Sequence, residues 1–299
     1  MMTIAAFVQY LRQEKKYASN TLKAYERDVQ LFQEFCYQTF DLSNLTEVSY
    51  PLIRSWIVWL VGQQKSNVTI NRKIAALNAY YNFALKSGQI SKSPLLGHKS
   101  LKVQRKLALP FSEQEMQALL TKIPFAEDFE GTRDRLIIEL LYATGMRRAE
   151  LIGLQMQQID LGLLQIKVLG KRNKERVIPL VNHLLPFINE YLQKRSALPN
   201  IEDSAYFFLL SSGKKLYETL VYRVINHYFG LVSSKVKKSP HILRHTFATH
   251  LLNRGADMQS VKDLLGHASL ASTQVYTHNN MAALKKAYGA SHPRNKSKS

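Results

Sequence analysis

"LLQIKVLGKRNKERVIPL", residues 163–180, is where the hydrophobic period of this chain changes. Leu164, Ile166 and Val168 alternate with Gln165 and Lys167, the two-residue period of a strand with one buried face. "GKRNKER" then reads as a polar turn and "VIPL" as the returning strand. The stretch predicts a small β-hairpin, extended to a three-stranded sheet if the pattern begins near Gln158. Almost everything on either side has helical spacing, so these residues decide the fold class: mainly α, with one small antiparallel sheet in the C-terminal half.

Working outward, helical patterns resume at about 181–196, 216–232, 240–254, 257–265 and 270–278. Before the hairpin, "TRDRLIIELLYATG" ends at Gly145, and "RRAELIGL" makes a short helix. "FSEQEM", residues 111–116, is a sharp start, with Ser112 and Glu115 as a capping box and Phe111 and Met116 as a hydrophobic staple. Four helices are expected in residues 1–95. The first carries Phe7, Val8 and Leu11; the second follows Ser19 or Asn20 as N-cap and presents Leu22, Tyr25, Val29 and Phe32. The third has Pro51 in its first turn, then Ile53, Trp56, Ile57 and Leu60; the fourth runs from near Asn67 to Gly88. Between the halves, 96–110 is basic and weakly periodic, a linker or else a short strand or coil of the second domain. The expected domains are therefore 1–95 and 111–299.

Composition narrows the function. Lys and Arg number 41 against 22 Asp and Glu, a net charge of +19. Such an excess favours a polyanionic partner, most often nucleic acid, although a merely basic protein has the same balance. Hydrophobic residues make up 45%, enough for real cores. No apolar run approaches the roughly 20 residues of a membrane helix. The N-terminus lacks a basic-then-apolar signal pattern, so a cytoplasmic protein is expected. The single cysteine, Cys36, cannot form an intramolecular disulfide or a Cys-based zinc site, and its helical context suggests a small buried hydrophobe.

Four pieces of the C-terminal half carry chemistry: "TGMRRAEL" with Arg147, "GKRNKER" with Lys171, "HILRH" with His241 and Arg244, and "LLGHASLASTQVYTH" with His267 and Tyr276. His241 and Arg244 are three apart and share a helix face, with Arg244 at the edge of a stripe of Leu243, Phe247 and Leu251. An arginine there needs an anion, either an internal carboxylate such as Glu150 or a phosphate held by guanidinium forks. His267, just after Gly266, could instead bond the last carbonyls of a helix, Lys171 could be a solvated turn residue, and Tyr276 could be packing. Taken together, the set suits phosphoryl transfer to a tyrosine. The hydroxyl, with a pKa of about 10, needs assistance to attack. Two guanidiniums neutralise the transition state, a histidine moves a proton, and a lysine protonates the leaving oxygen. No metal-ligand spacing is present, so no cofactor is expected.

These boxes, in this order, resemble the tyrosine recombinase, or λ-integrase, family. "YASNTLKAYERDVQLFQEF" and "INRKIAALNAYYNFALKSGQISKSPL" resemble its core-binding domain, so the likeness covers nearly the whole chain. The length and the "SHPR" tail point to its Xer branch. The resemblance implies a four-helix SAM-like N-terminal domain and an α+β catalytic domain, clamped around double-stranded DNA at a recombination site. It assigns Arg147, Lys171 (not the nearby Lys174), His241, Arg244, His267 and Tyr276 as catalytic, with Glu150 as a buttress. It implies cleavage through a 3′-phosphotyrosine, a Holliday junction, and a homo- or hetero-tetramer on two DNA sites. Met281–Tyr288 would pack into a neighbouring protomer, and Arg105 and Lys106 would follow the DNA backbone. A second Xer recombinase and an FtsK-like DNA translocase are the further partners it suggests. Resolution of chromosome or plasmid dimers is the expected task. A mobile-element integrase, a relaxing enzyme and a non-cleaving DNA-binding accessory protein are the other readings.

Overall fold

The computed structural model describes residues 3–103, 109–169, 175–235, 237–266 and 291. The chain divides into two compact units, Met1–Lys106 and Leu107–Ser299.

The N-terminal unit contains α1 (Ile4–Gln13), α2 (Ser19–Phe40), α3 (Tyr50–Gly62) and α4 (Asn67–Lys86). Phe7, Val29, Phe32, Trp56, Ile70, Leu77 and Tyr80 fill the space between them. The N-cap of α2 is Ala18, without a side-chain cap bond, not Ser19 or Asn20 as the composition suggests. Ser19 and Asn20 already lie inside the first turn. Helix α4 starts after Ser66, whose hydroxyl accepts from the Thr69 amide, and ends where Gly88 takes φ +68°. Buried Asp28 on α2 accepts from Arg72 and, at 2.7 Å, from Lys73 Nζ on α4, tying the two longest helices together. Beyond α4, the chain at Leu101 is held by both amide atoms of Asn71, each at 2.9 Å. Cys36 is fully buried, and burial pushes its thiol up to about 11.

The C-terminal unit opens with α5 (Glu113–Lys122), whose Ser112–Glu115 capping box is formed in full, with Phe111 and Met116 both in the core. Helix α6 (Phe129–Thr144) is buried on all sides from Leu136 to Thr144, as the central helix of a bundle must be. It ends at Gly145, where φ is +59°. Then come α7 (Arg148–Gly153) and the antiparallel sheet of β1 (Ile159–Asp160), β2 (Gln165–Leu169) and β3 (Glu175–Pro179), in that order. Ile166 faces Ile178 and Val168 faces Arg176 across β2 and β3. The returning strand thus begins earlier than the hydrophobic pattern implies, because Glu175 and Arg176 belong to it and not to the turn. Helices α8 (Leu185–Ser196), α9 (Glu218–Gly230), α10 (Pro240–Asn253) and α11 (Met258–Leu265) complete the unit. None of the described helices is long and apolar enough to cross a membrane.

Two residues of α10 fasten it to the head of α5. Thr246 Oγ1 accepts from the Phe111 amide at 2.9 Å, and His250 Nε2 donates to the Phe111 carbonyl at 2.9 Å. The carbonyl can only accept, so Nε2 carries the proton and Nδ1 accepts from the Tyr142 hydroxyl at 2.9 Å. Burial holds the pKa of His250 below its ordinary value.

Candidate active site

Arg147, His241 and Arg244 meet at one open groove of about 580 Å³ in the C-terminal unit, also lined by Arg148, Ala149, Tyr222, Ser239 and Pro240. Local structure explains how each arrives. Gly145 terminates α6 in the left-handed conformation, and the chain turns so that Arg147 is the N-cap of α7. Ser239 caps α10 and Pro240 begins it, which sets His241 in its first turn and Arg244 one turn later. The N-terminus of α10 adds partial positive charge to that wall.

Arg244 is only 8% exposed, yet it lines the groove. Its hydrogen-bond partners are backbone carbonyls: Nη1 donates to Gly145 O at 2.6 Å and Nη2 to Leu265 O at 2.5 Å. These carbonyls belong to the ends of α6 and α11, where helices leave acceptors unsatisfied. Burial, then the charges of Arg147 and Arg176, push its pKa down to about 10, so it remains a cation at neutral pH.

Arg147 does use Glu150. Its Nη1 donates to Oε1 at 2.8 Å and its amide to Oε2 at 2.7 Å, while Nη2 reaches Gly266 O at 3.2 Å. Glu150 has a second partner that sequence reasoning missed. Arg176 Nη1 and Nη2 donate to Oε1 and Oε2 at 2.7 and 2.8 Å, and its Nε donates to Leu264 O at 3.0 Å. Burial opposes ionisation of Glu150, but the hydrogen bonds and charge of Arg176, with the amide and guanidinium of Arg147, outweigh it and hold the pKa at about 2. The signal for Arg176 was present in strand parity. It shares the inward face of β3 with Ile178, so its side chain had to find a buried partner.

Arg147 and Arg176 share the Glu150 carboxylate, and Arg244 feels its charge without touching it, so these three guanidiniums and one carboxylate leave two net positive charges beside the groove. Arg148 adds little to this balance, because it pairs with Glu218 of α9. Such a surplus, partly desolvated and lined by His241, suits a phosphate group with forked donors. Among the described residues no cluster of His, Cys, Asp or Glu could hold a metal ion. Lys171, His267 and Tyr276 lie outside the described residues, as do Arg105, Lys106 and Met281–Tyr288.

Residues 108–283 match the phage integrase family, and residues 4–88 match the N-terminal SAM-like domain of phage integrases. The chain is 37% identical over 294 residues to tyrosine recombinase XerC of Staphylococcus haemolyticus, covering 98% of this chain and 97% of that protein. It is 34% identical to tyrosine recombinase XerD of Staphylococcus aureus, covering 97% of this chain and 98% of that one. Among solved structures, XerH recombinase bound to palindromic difH substrate after cleavage aligns with a TM-score of 0.69 at 22% identity, over 96% of this chain and 84% of that one. The Tn1549 transposon integrase with circular intermediate DNA aligns at 0.70 and 20% identity, over 95% and 99%. At these identities the two structures speak to the fold.

Proposed function

This chain belongs to the phage integrase family of tyrosine recombinases, and from that premise we propose that it is a Xer-type site-specific DNA recombinase acting in resolution of chromosome or plasmid dimers. The observation that carries the reading is the groove where Arg147 and Arg244 converge with His241 beside a surplus of two positive charges. A DNA phosphodiester in that groove receives donors from both guanidiniums. Their charge offsets the negative charge that builds on the non-bridging oxygens as the phosphorus becomes pentavalent.

In this mechanism the Tyr276 oxygen attacks the phosphorus and forms a 3′-phosphotyrosine bond. The bond to the 5′ oxygen breaks, and Lys171 supplies the proton that makes the free 5′ hydroxyl. His241 and His267 accept the tyrosine proton or donate to a phosphate oxygen. The phosphoester energy stays in the tyrosine link, so no nucleotide is consumed. A 5′ hydroxyl from a partner duplex then attacks that link, releases the tyrosine and makes a Holliday junction, which a second pair of exchanges resolves. Two duplexes cut in pairs require four protomers, as a homo- or hetero-tetramer. A second Xer recombinase and an FtsK-like translocase are the partners this reading brings with it.

The test is covalent capture. The full chain is incubated with a random-sequence duplex pool, and DNA that stays bound through denaturation is recovered and sequenced. A protease-sensitive adduct on the 3′ end at the break, with a free 5′ hydroxyl opposite it, lost in Tyr276→Phe, is the expected result. Tight, site-specific binding without any adduct, with each candidate partner present, would return the chain to the accessory-protein reading.

A further inference from the structure

Arg176 has no part in the reaction just described, yet it is 5% exposed and uses every guanidinium nitrogen. Its fork and that of Arg147 share one carboxylate. Each oxygen of Glu150 accepts one bond from Arg176 and one from Arg147. The third bond of Arg176, to Leu264 O, holds the end of α11, two residues before the Gly266 carbonyl that receives Arg147 Nη2. Both supports of Arg147 thus rest on Arg176. The approach is close: a side chain at residue 266 would require Arg176 to give way by a few tenths of an ångström. A Cβ on Gly266 would lie 3.0 Å from Arg176 Cδ, at a position where φ is already +62°. The chain continues from Gly266 directly into His267.

We infer that Arg176 is a positioning residue for strand cleavage: it fixes the Glu150 carboxylate and the C-terminal end of α11, and through them aims Arg147 at the scissile phosphate. The inference rests on the reading of Arg147 as a phosphate ligand. A lysine at 176 would keep the charge but could not bridge α7 and α11, because one ammonium cannot reproduce a planar three-nitrogen fork.

A purely structural salt bridge would change stability alone, whereas a positioning residue leaves a mark on the pH profile. The charged groups facing Glu150 are Arg147 at the head of α7, Arg176 on β3 and Arg244 on α10; from α9, Glu218 is engaged with Arg148. Without Arg176 the largest force keeping Glu150 ionised is gone and its burial remains, so its pKa rises. Protonation on mild acidification then takes an acceptor from Arg147.

Four variants of the full chain decide the matter: Arg176→Lys, Arg176→Gln, Glu150→Gln, and the last two combined. Adduct formation is measured on the duplex captured by the wild type, and inorganic phosphate binding by calorimetry. Arg176→Gln is expected to keep its affinity for the duplex, to lose roughly 100-fold in adduct rate, and to bind phosphate more weakly. Its adduct rate falls more steeply than that of the wild type as the pH is lowered from neutral, because the histidine base is common to both and only the variant also loses the Glu150 acceptor. Arg176→Lys moves in the same direction, and the double variant is no slower than the worse single one, because both residues act through one carboxylate. A lowered melting temperature with wild-type adduct rate and phosphate affinity overturns the inference, and so do losses that add. Should the wild type form no adduct, the cleavage reading fails by itself. The phosphate arm still decides here, since unchanged affinity in Arg176→Gln refutes the positioning role.

Discussion

Thr246→Val removes one hydroxyl while keeping the shape of the side chain. Thr246 is fully buried on α10. Its Oγ1 accepts from the Phe111 amide at 2.9 Å and donates to Ile242 O, also at 2.9 Å. The two losses are unequal. Ile242 O is a carbonyl inside α10, where the helix ladder supplies a donor, but the Phe111 amide at the head of α5 loses its acceptor. A buried donor left unsatisfied costs about 1–3 kcal/mol. Thr246→Ser keeps the hydroxyl and deletes a methyl, at a cost of about 0.8 kcal/mol. Valine should therefore be the more damaging change. For a unit of this size each kcal/mol lowers Tm by roughly 2–4 °C, so the valine variant should melt about 2–12 °C lower. Calorimetry of the full chain reads this loss. Both tryptophans, Trp56 and Trp59, lie on α3 of the N-terminal unit, so calorimetry and not tryptophan fluorescence is the readout for this change in the C-terminal unit. If serine proves more damaging than valine, packing and not the hydrogen bond fastens α10 to the head of α5, and the latch argument is wrong.

Other consequences are equally direct. Gly145→Ala must place a side chain at φ +59° with its Cβ 2.3 Å from the Phe247 ring, on the residue whose carbonyl receives Arg244. The expected result is a loss of at least about 1 kcal/mol and a slower adduct-forming step, read by melting and by covalent capture. Asp28→Asn breaks the buried contact with Lys73 and Arg72, at a cost of about 3–5 kcal/mol, which tryptophan-detected urea unfolding would register in the N-terminal unit. The pH dependence has a definite sign. Burial lowers the pKa of His250, so its contribution is intact above the unfolded value of about 6.5 and declines as the pH falls below it. Glu150, held at about 2, stabilises above its ordinary range and loses that contribution only as the pH falls toward 2. A Tm series against pH should thus begin to fall near 6.5, and less steeply in His250→Gln.

Much of the secondary structure was legible before any coordinate, for a local reason. The Ser112–Glu115 box spans three residues, Gly145 and Gly88 act within one turn, and the alternation through Ile166 and Val168 needs only its own strand. Where local signals misled, the cause was also local. Ser19 and Asn20 are good capping residues, but α2 begins one residue earlier, and the polar run "GKRNKER" concealed the strand residue Arg176.

Residue types and motif order in the sequence determined which six residues to look for; of these, the groove contains Arg147, His241 and Arg244, while Lys171, His267 and Tyr276 lie outside the described residues. Sequence could not determine what holds them. Arg244 rests on carbonyls 99 and 21 residues away, Arg176 reaches Glu150 across 26 and Leu264 across 88, and the His250 bond to Phe111 spans 139. A hydrogen bond is decided within about 3 Å of space, and only the packing of α6, α7, β3, α10 and α11 brings such distant donors and acceptors within that reach. Chemical identity is a property of the chain; which carboxylate or carbonyl satisfies a buried guanidinium is a property of the fold.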